Sequence, residues 1–484
     1  MSKVNLFKGR DFRDIELYKD ISEDEWNNPN WQISNSITTV TQLEKVISLN
    51  DFQKKCIDKA ILISTPMRIT PYYASLMPQD PFNLKDEAGN SIPDRVDPIF
   101  RQAVPTPAAY LFKVGLDDPM SEEERSYGCV YQRYPNRVAF KVTKICYMYC
   151  NHCQRKKDIG KATLEMASDI EKGIEYISKN TNIDEVLLTG GDPLTLPLDI
   201  LDDILDKIYS IPHVKIIRLG TRVPVVLPQA VTDEIVDVLK KYRPMFISIH
   251  CNHQNEITDK FRIAIDKLKN AGFTIFNQMV ALNGVNDDFK VLATTFSKLY
   301  WIGVKPYYLL QCHKTARVGE YIVPIPKMRI LTKYLRGHIS GPAIPNYVVN
   351  MDGGGGKVLL TPSGYAQERI AFEDSKLYAP THVMRTWDDT FVKYRELLNM
   401  TEERYNNLVD TMDKFYGSSG KFRPSVNIID RHGNYVRSTN VAIKTPPIKD
   451  KQYLHFNPNE ILGYSEGPYG STTNPQEAHE DFEP

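Results

Sequence analysis

One stretch decides the fold and the chemistry of this chain: Cys146-Tyr-Met-Tyr-Cys150-Asn-His-Cys153. Its three thiols have C-x3-C-x2-C spacing, which can close around one metal centre but supplies one ligand fewer than the four that zinc and iron–sulfur sites use. A 4Fe-4S cluster held by Cys146, Cys150 and Cys153 leaves one iron open to a small molecule. The alternative is a zinc site in which His152 or a distant residue is the fourth ligand.

The cysteine stretch follows a predicted strand, and strands and helices alternate from residue 136 onward. Strands are predicted at 137–142, 185–189, 214–220, 245–250, 274–280 and 305–311, and helices at 162–180, 198–211, 230–242, 256–271 and 290–302. Strands separated by such helices pair in parallel, because parallel strands need crossover connections of this length. Six units are fewer than a closed eightfold barrel contains, so the sequence predicts an α/β fold with a partial, open (β/α)6 barrel.

The regions on either side of the barrel differ from it in composition. We predict an N-terminal helical and irregular region at 1–135 that wraps the barrel of 136–320, and a C-terminal region at 321–464. That region contains a predicted helix at 327–337, a strand at 346–350 and a helical stretch at about 387–415. The last stretch, 465–484, has little apolar content, and we expect it to be disordered.

The composition is that of an ordinary globular protein, with 42% hydrophobic and 25% charged residues in 484. Lys+Arg and Asp+Glu are both 60, so the net charge gives no reason to expect nucleic acid or membrane as a partner. The sequence has neither an apolar run of about 18 residues nor an export signal, so we expect no membrane span. Seven cysteines, three of them in one short stretch, indicate metal binding in a reducing compartment, and hence a cytoplasmic protein.

Polar residues also follow the later strands, at the edge where barrel enzymes build their sites. After the second strand, the backbone carbonyls of Gly190 and Gly191 and the carboxylate of Asp192 can accept hydrogen bonds from an ammonium group, although a simple turn explains the same residues. His250 ends the fourth strand and Gln278 lies in the fifth. Both can bind an adenosine or a carboxylate, or they can be satisfied polar groups at strand ends.

A second motif is the glycine run at 353–356, which ends in Lys357. The spacing and the valine that follows the lysine exclude a nucleotide P-loop. A desolvated lysine at an active-site mouth can bind pyridoxal phosphate (PLP) covalently. Arg133, Tyr134 and Arg137, just before the first barrel strand, offer two guanidinium groups and a phenol for the phosphate. Taken alone, the two arginines would suit a surface salt bridge better than a phosphate site.

Taken together, these motifs resemble the lysine 2,3-aminomutase family of PLP-dependent radical S-adenosylmethionine (SAM) enzymes, over about residues 20–420. The shared stretches occur in one order along the chain: Glu25-Trp26…Trp31-Gln32, Arg133-Tyr-Pro-Asn-Arg137, Cys146-x-Met-Tyr-Cys-x-His-Cys153-x-Arg155, Gly190-Gly-Asp, Arg222-x-Pro-Val-Val-Leu-Pro, His250-x-Asn-His-x-Asn-Glu-Ile-Thr258, Gly284-Val-Asn-Asp, Leu335-Arg-Gly-His-x-Ser-Gly341 and Gly353-Gly-Gly-Gly-Lys357.

The resemblance implies a role for each matched residue. Cys146, Cys150 and Cys153 would hold the 4Fe-4S cluster, and Lys357 would carry PLP. Arg155 would grip the substrate α-carboxylate, which suits bidentate recognition. The residues implied to contact the PLP phosphate are Arg133, Tyr134 and Arg137. Those implied to contact SAM are Gly190, Gly191, Asp192, His250 and Gln278.

Two positions depart from the lysine enzymes, in which two aspartates bind the distal ammonium group of lysine. Those places hold His313 and Asn350 here, so a cationic tail would lose its Coulomb partners. The related glutamate 2,3-aminomutases have Lys and Asn there, which favours glutamate for this chain, with Lys314 as one source of the missing positive charge. The alternative is that His313 and Asn350 lie behind the substrate contacts and specificity is set elsewhere.

The C-terminal region also departs from the family, because no cysteine follows Cys312. Lysine mutases bind zinc between subunits through cysteines in that region. We therefore predict no such zinc, and a homo-oligomer of two or four chains.

The implied activity is the migration of an amino group from C2 to C3 of a small amino acid, with a reductant such as flavodoxin or ferredoxin as partner. Three alternatives are a mutase for lysine or another basic amino acid, a SAM and PLP enzyme that ends in elimination or oxidation, and a non-enzymatic zinc or iron protein.

Overall fold

The structure is a computed structural model. It describes residues 4–63, 66–85, 92, 95–112, 114–160, 166–360, 369–371, 381–385, 391–395, 397–417 and 422–439. All the elements below belong to one compact unit, Leu6–Ile443. The predicted tail at 465–484 lies outside the described residues, and the division into four regions stays a prediction.

The centre of the molecule is one ten-stranded sheet whose strands follow each other in chain order. Its strands are β1 (Ser126–Tyr127), β2 (Val130–Tyr134), β3 (Arg137–Thr143), β4 (Glu185–Gly190), β5 (Ile216–Thr221), β6 (Met245–Ile249), β7 (Thr274–Ala281), β8 (Lys305–Gln311), β9 (Asn346–Met351) and β10 (Gly356–Leu359). The strands from β3 to β9 are parallel, and β1, β2 and β10 pair antiparallel at the two edges.

Helices connect the parallel strands and cover the sheet. The helices are α1 (Glu23–Asn27), α2 (Pro29–Ser34), α3 (Val40–Leu43), α4 (Asp51–Ile63), α5 (Pro71–Ser75), α6 (Pro98–Ala103), α7 (Ala108–Leu111), α8 (Met166–Lys179), α9 (Leu198–Tyr209), α10 (Val223–Val226), α11 (Asp233–Lys240), α12 (Asp259–Asn270), α13 (Phe289–Trp301), α14 (Ile325–Leu335) and α15 (Glu402–Tyr416). In α9 the buried residues recur at helical spacing, so one face of the helix packs against the sheet. These residues are Leu201, Ile204, Leu205 and Ile208.

The predicted partial barrel is confirmed, with all six strands and all five helices in place. The sheet contains one more parallel strand than expected. Helix α14 connects β8 to β9, and β9 pairs in parallel with β8 as the seventh parallel strand. Two edge strands before β3 were not predicted. No helix in the described part of the chain has the length and apolar character to cross a membrane.

The prediction of a helical stretch at about 387–415 is wrong in its first half. The chain there forms strands β13 (Phe391–Arg395) and β14 (Leu398–Thr401), and α15 begins only at Glu402. Strand β13 completes a small antiparallel sheet, and β14 pairs in parallel within another. The remaining strands of these two sheets are β11 (Arg369–Ala371), β12 (Thr381–Arg385), β15 (Val426–Ile429) and β16 (Tyr435–Ser438).

The N-terminal region packs directly on the loop that carries the cysteines. The backbone N–H groups of Tyr149 and Asn151 donate to the carbonyls of Arg68 (3.0 Å) and Gln102 (2.9 Å). The Asn151 side chain donates to the carbonyl of Val104 (2.6 Å). The helices before the barrel therefore fix the cysteine loop from outside the sheet.

Candidate active site

The cysteine loop leaves the carboxyl end of β3, where the sequence placed it. Cys146, Cys150 and Cys153 are free and partly exposed, and the backbone N–H of Cys153 donates to the carbonyl of Cys150 (3.2 Å). Burial raises the pKa of the Cys153 thiol to about 11, with a further contribution from Cys150. Burial likewise raises the pKa of Cys146, with Asp192 and the other two thiols adding to it. The Cys146 and Cys153 thiols are therefore protonated at neutral pH until a cation offsets the thiolate charges.

The donor set fits an iron–sulfur cluster by its chemistry, because three soft thiols sit on one loop. Within the described residues, no three His, Cys, Asp or Glu side chains stand in metal-binding geometry. The assignment of Cys146, Cys150 and Cys153 as ligands therefore rests on donor chemistry and loop position. His152, the fourth ligand of the zinc alternative, has Nε2 3.3 Å from the Asn252 side-chain amide.

The turn after β4 is pressed against the start of the cysteine loop. Gly191 N–H donates to the carbonyl of Thr143 (2.5 Å), and Asp192 N–H donates to that of Ile145 (2.8 Å). A Cβ on Gly191 would lie 2.2 Å from the carbonyl oxygen of Ile145, and Gly190 has φ of +120°. Both glycines are therefore required for the close approach of the two loops.

Asp192 ties this turn to the end of β5. Its buried carboxylate accepts from Thr221 Oγ1 (2.8 and 3.0 Å) and from the backbone N–H of Arg222 (2.6 Å). Both carboxylate oxygens are thus occupied, and burial raises the pKa of Asp192 despite these donors. A contact between Asp192 and SAM stays a prediction.

The two other predicted SAM contacts lie next to each other on adjacent strands. His250 follows β6 directly and hydrogen-bonds the backbone of Gln278, which lies on β7. Burial, followed by the charge of Arg222, lowers the pKa of His250 to about 4. The imidazole is therefore neutral at physiological pH and presents a hydrogen-bonding group rather than a charge.

Lys357 lies where the two edges of the curled sheet meet. It is on β10, opposite Asn350 of β9 in the antiparallel register. Its backbone N–H donates to the hydroxyl of Tyr134 on β2 (2.8 Å), and the Arg137 guanidinium lies 4.1 Å from the centre of the Tyr134 ring. The structure thus brings Tyr134, Arg137 and Lys357 together. Arg133 precedes Tyr134 on the same strand.

The Lys357 amine is easier to deprotonate than an ordinary lysine. Burial, followed by the charges of Arg218, Arg137 and Arg155, lowers its pKa from 10.5 to about 8. Its Nζ lies 5.8 Å from the Tyr308 ring centre. A neutral amine surrounded by guanidinium groups suits covalent attachment of an anionic aldehyde such as PLP.

Arg155 is held by a carboxylate that the sequence did not single out. Glu122 accepts from Arg155 Nε (3.1 Å) and Nη2 (2.8 Å), and Thr189 Oγ1 lies 3.4 Å from Nη1. Lys141 Nζ also lies 3.3 Å from Glu122. Burial alone would raise the pKa of Glu122, but Arg155 and then Lys141 bring it down to about 2. Glu122 uses one edge of the guanidinium and leaves N–H groups of Nη1 and Nη2 for a substrate carboxylate.

His313 and Asn350 form a hydrogen-bonded pair beside Lys357. The Asn350 amide nitrogen lies 3.0 Å from His313 Nε2. Burial, then Lys357, lowers the pKa of His313 to about 4, so the pair is uncharged at neutral pH. Asn350 Oδ1 is buried and has no hydrogen-bond partner among the described residues. Lys314, the suggested source of positive charge, is paired with Asp352.

Sequence reasoning assigned no role to three charged residues of this site, although Arg222 begins one of the shared stretches. Arg218 and Arg222 carried a signal, because both belong to the strand β5 region that ends at the same edge as the cysteine loop. Glu122 carried none, since it lies in an acidic run before β1 and meets Arg155 only through the fold.

Comparisons with known proteins agree with this arrangement. Residues 140–295 match the radical SAM superfamily, and residues 332–423 match the lysine-2,3-aminomutase family. The radical SAM match brings with it a 4Fe-4S cluster and SAM.

Three curated relatives cover most of the chain. The L-lysine 2,3-aminomutase of Methanococcus maripaludis is 43% identical over 358 residues, covering 72% of this chain and 80% of the relative. The L-lysine 2,3-aminomutase of Clostridium subterminale is 38% identical, covering 80% and 89%. The glutamate 2,3-aminomutase of Clostridioides difficile is 39% identical, covering 78% and 84%. The chain therefore belongs to the lysine 2,3-aminomutase family of radical SAM enzymes.

Proposed function

We propose that this protein is a PLP-dependent radical SAM 2,3-aminomutase whose substrate is glutamate or another amino acid with a non-cationic tail. It moves the amino group from C2 to C3 and gives a β-amino acid. The observation that carries the substrate assignment is the uncharged His313–Asn350 pair, which lies beside Lys357.

The PLP assignment is supported by the surroundings of Lys357. Burial keeps a large share of its amine neutral near pH 8, since its pKa is lowered to about 8. Tyr134 and Arg137 lie beside it and suit a phosphate group. When bound, SAM at the cluster supplies a carbon radical, and PLP supplies a ring that delocalises an unpaired electron.

The protein's own residues bind and orient the substrate. Arg155, held in place by Glu122, would receive the α-carboxylate on its remaining N–H groups. Lys357 would give up its place to the substrate amine and hold the released proton near the reacting atoms. The neutral imidazole of His250 would bind SAM without adding a charge beside the cluster.

The substrate tail would meet His313 and Asn350. When the amide nitrogen of Asn350 faces His313, its Oδ1 faces the substrate as an acceptor. When the side-chain amide is flipped, its NH2 group offers two N–H donors to a substrate carboxylate. Neither arrangement offers the full negative charge that a lysine tail needs to replace its hydration.

Lysine is the competing substrate, because two of the three relatives above are named for it. We also propose that the enzyme works in the reducing cytoplasm as a homo-oligomer and takes electrons from flavodoxin or ferredoxin. The compartment and the electron donor rest on the proposed cluster and on the free cysteines, and the homo-oligomer rests on the family resemblance alone.

The test is anaerobic reconstitution with iron, sulfide and PLP. We expect a brown protein with about four irons per chain and a PLP absorbance that is lost in Lys357→Ala. Lys333→Ala, which removes an exposed lysine from α14, should retain that absorbance. A colourless protein with one zinc, or PLP retained in Lys357→Ala, would contradict the proposal.

A further inference from the structure

A buried arginine connects the cysteine loop with two other loops of the same edge. Arg222, the first residue after β5, has 8% of its surface exposed. Its Nη1 donates to Cys150 Sγ. Its Nη2 donates to Gln102 Oε1 (2.7 Å) and to Glu256 Oε1 (2.7 Å). The guanidinium is therefore shared between a thiol that we assign to the cluster and a buried carboxylate.

Glu256 is itself held from several sides. It is 0% exposed and accepts from the backbone N–H groups of Asn252 (2.5 Å) and His253 (2.9 Å), and from the hydroxyl of Tyr73 (2.7 Å). This fixes the loop that begins with His250. The Arg222–Glu256 pair would satisfy both charges by itself, so the additional donation to sulfur calls for its own explanation.

We propose that Arg222 is a positioning residue that holds Cys150 and raises the reduction potential of the cluster, with Glu256 limiting that effect. This rests on the proposed function, because it requires the cluster at the three cysteines. Hydrogen bonds to cluster sulfurs and nearby charge set the potential of such centres. A positive charge in a buried site stabilises the reduced cluster, which carries one more electron, and so makes the potential less negative.

Glu256 acts in the opposite direction. Its negative charge lies 2.7 Å from the guanidinium and offsets part of the field that the cluster senses. Neutralising Glu256 should therefore raise the potential, whereas neutralising Arg222 should lower it. A role confined to packing would not give shifts of opposite sign.

The experiment is an anaerobic redox titration of the reconstituted full-length enzyme, followed by the electron paramagnetic resonance signal of the reduced cluster. The variants are Arg222→Gln, Arg222→Lys and Glu256→Gln. The control is Arg13→Gln, which removes an exposed arginine at the N-terminus. Iron content and thermal unfolding are measured for each protein.

We expect the midpoint potential of the cluster to become more negative in Arg222→Gln and less negative in Glu256→Gln. The potential of Arg222→Lys should stay closer to that of the wild type, and the potential of the control should be unchanged. If Arg222→Gln does not retain its cluster, a less negative potential in Glu256→Gln together with a nearly unchanged potential in Arg222→Lys decides the question. An unchanged potential in both charge-neutralising variants, or shifts of the same sign, would overturn the proposal. A wild-type protein without a cluster would instead overturn the proposed function.

Discussion

Replacing Arg218 by glutamine should make Lys357 a more ordinary lysine. After burial, Arg218 is the largest cause of the lowered pKa of Lys357, ahead of Arg137 and Arg155. Arg218 is also paired with Glu185 through Nε at 2.9 Å. The substitution therefore removes a positive charge and leaves the Glu185 carboxylate, which favours a charged Lys357, without its partner.

The size of the effect follows from the lowered pKa of Lys357. The pKa of Lys357 falls from 10.5 to about 8, which corresponds to about 3 kcal/mol in favour of the neutral amine. If Arg218 and the freed Glu185 together account for about 1.4 kcal/mol of this, the neutral fraction at pH 8 falls from about one half to about one tenth. Below that pH, the rate of reaction of the amine should fall about tenfold relative to wild type.

The assay is trace acetylation of the PLP-free protein across neutral to alkaline pH, read by mass spectrometry of the peptide that contains Lys357. The inflection should lie near pH 8 in wild type and at a higher pH in Arg218→Gln. Arg404→Gln, which removes an exposed arginine of α15, is the matched control and should match wild type. An unchanged or lower inflection in Arg218→Gln would refute the electrostatic explanation.

Two further variants, one single and one double, test the substrate side of the site. Glu122→Gln should lower the free energy of unfolding by about 2 to 3 kcal/mol at neutral pH, because it leaves the cation of Arg155 without its anion. Since the pKa of Glu122 is depressed from 4.5 to about 2, this loss of stability should be full above pH 4.5 and should fade as the pH falls toward 2. The control Glu124→Gln should cost little stability. Denaturant unfolding across pH measures both variants, and equal costs would contradict the role of Glu122. The double variant His313→Asp with Asn350→Asp should raise the rate ratio of lysine over glutamate by roughly 100-fold, or about 2.7 kcal/mol. Competition between the two amino acids measures that ratio, and an unchanged value would place the substrate tail elsewhere.

The barrel could be predicted because burial leaves a local pattern in the sequence. In β7, every second residue from Ile275 to Ala281 is buried, and α9 has its apolar face at helical spacing. These patterns do not depend on a distant partner. The order of the strands followed from the need for crossover helices between parallel neighbours.

The missed elements depend on non-local pairing. The strand Phe391–Arg395 exists through its ladder with Thr381–Arg385, and Leu398–Thr401 pairs with Val426–Ile429. Their local composition does not favour a helix: Phe391–Arg395 contains Phe, Val and Tyr, which prefer strands, and Leu398–Thr401 contains no charged residue. The signal for the helix start was present, since the side chain of Thr401 caps α15.

The site followed the same rule. Motif residues after parallel strands, such as Cys146 and His250, could be proposed from the sequence because every parallel strand delivers its carboxyl end to one edge. Lys357, near the start of the antiparallel strand β10, could be proposed from the glycine run before it. The partners that tune them could not. Glu122 is 33 residues from Arg155, and Arg222 is 72 residues from Cys150, so only the fold brings each pair together.

The products of one anaerobic incubation test the central claim most directly. The reconstituted enzyme is given SAM, dithionite and either glutamate or lysine, and amino acid products and remaining SAM are quantified together. We predict the β-amino isomer of glutamate, formed faster than that of lysine, with many turnovers for each SAM lost. Faster turnover of lysine would contradict the substrate assignment, and SAM consumed in step with turnover without any β-amino acid would contradict the aminomutase.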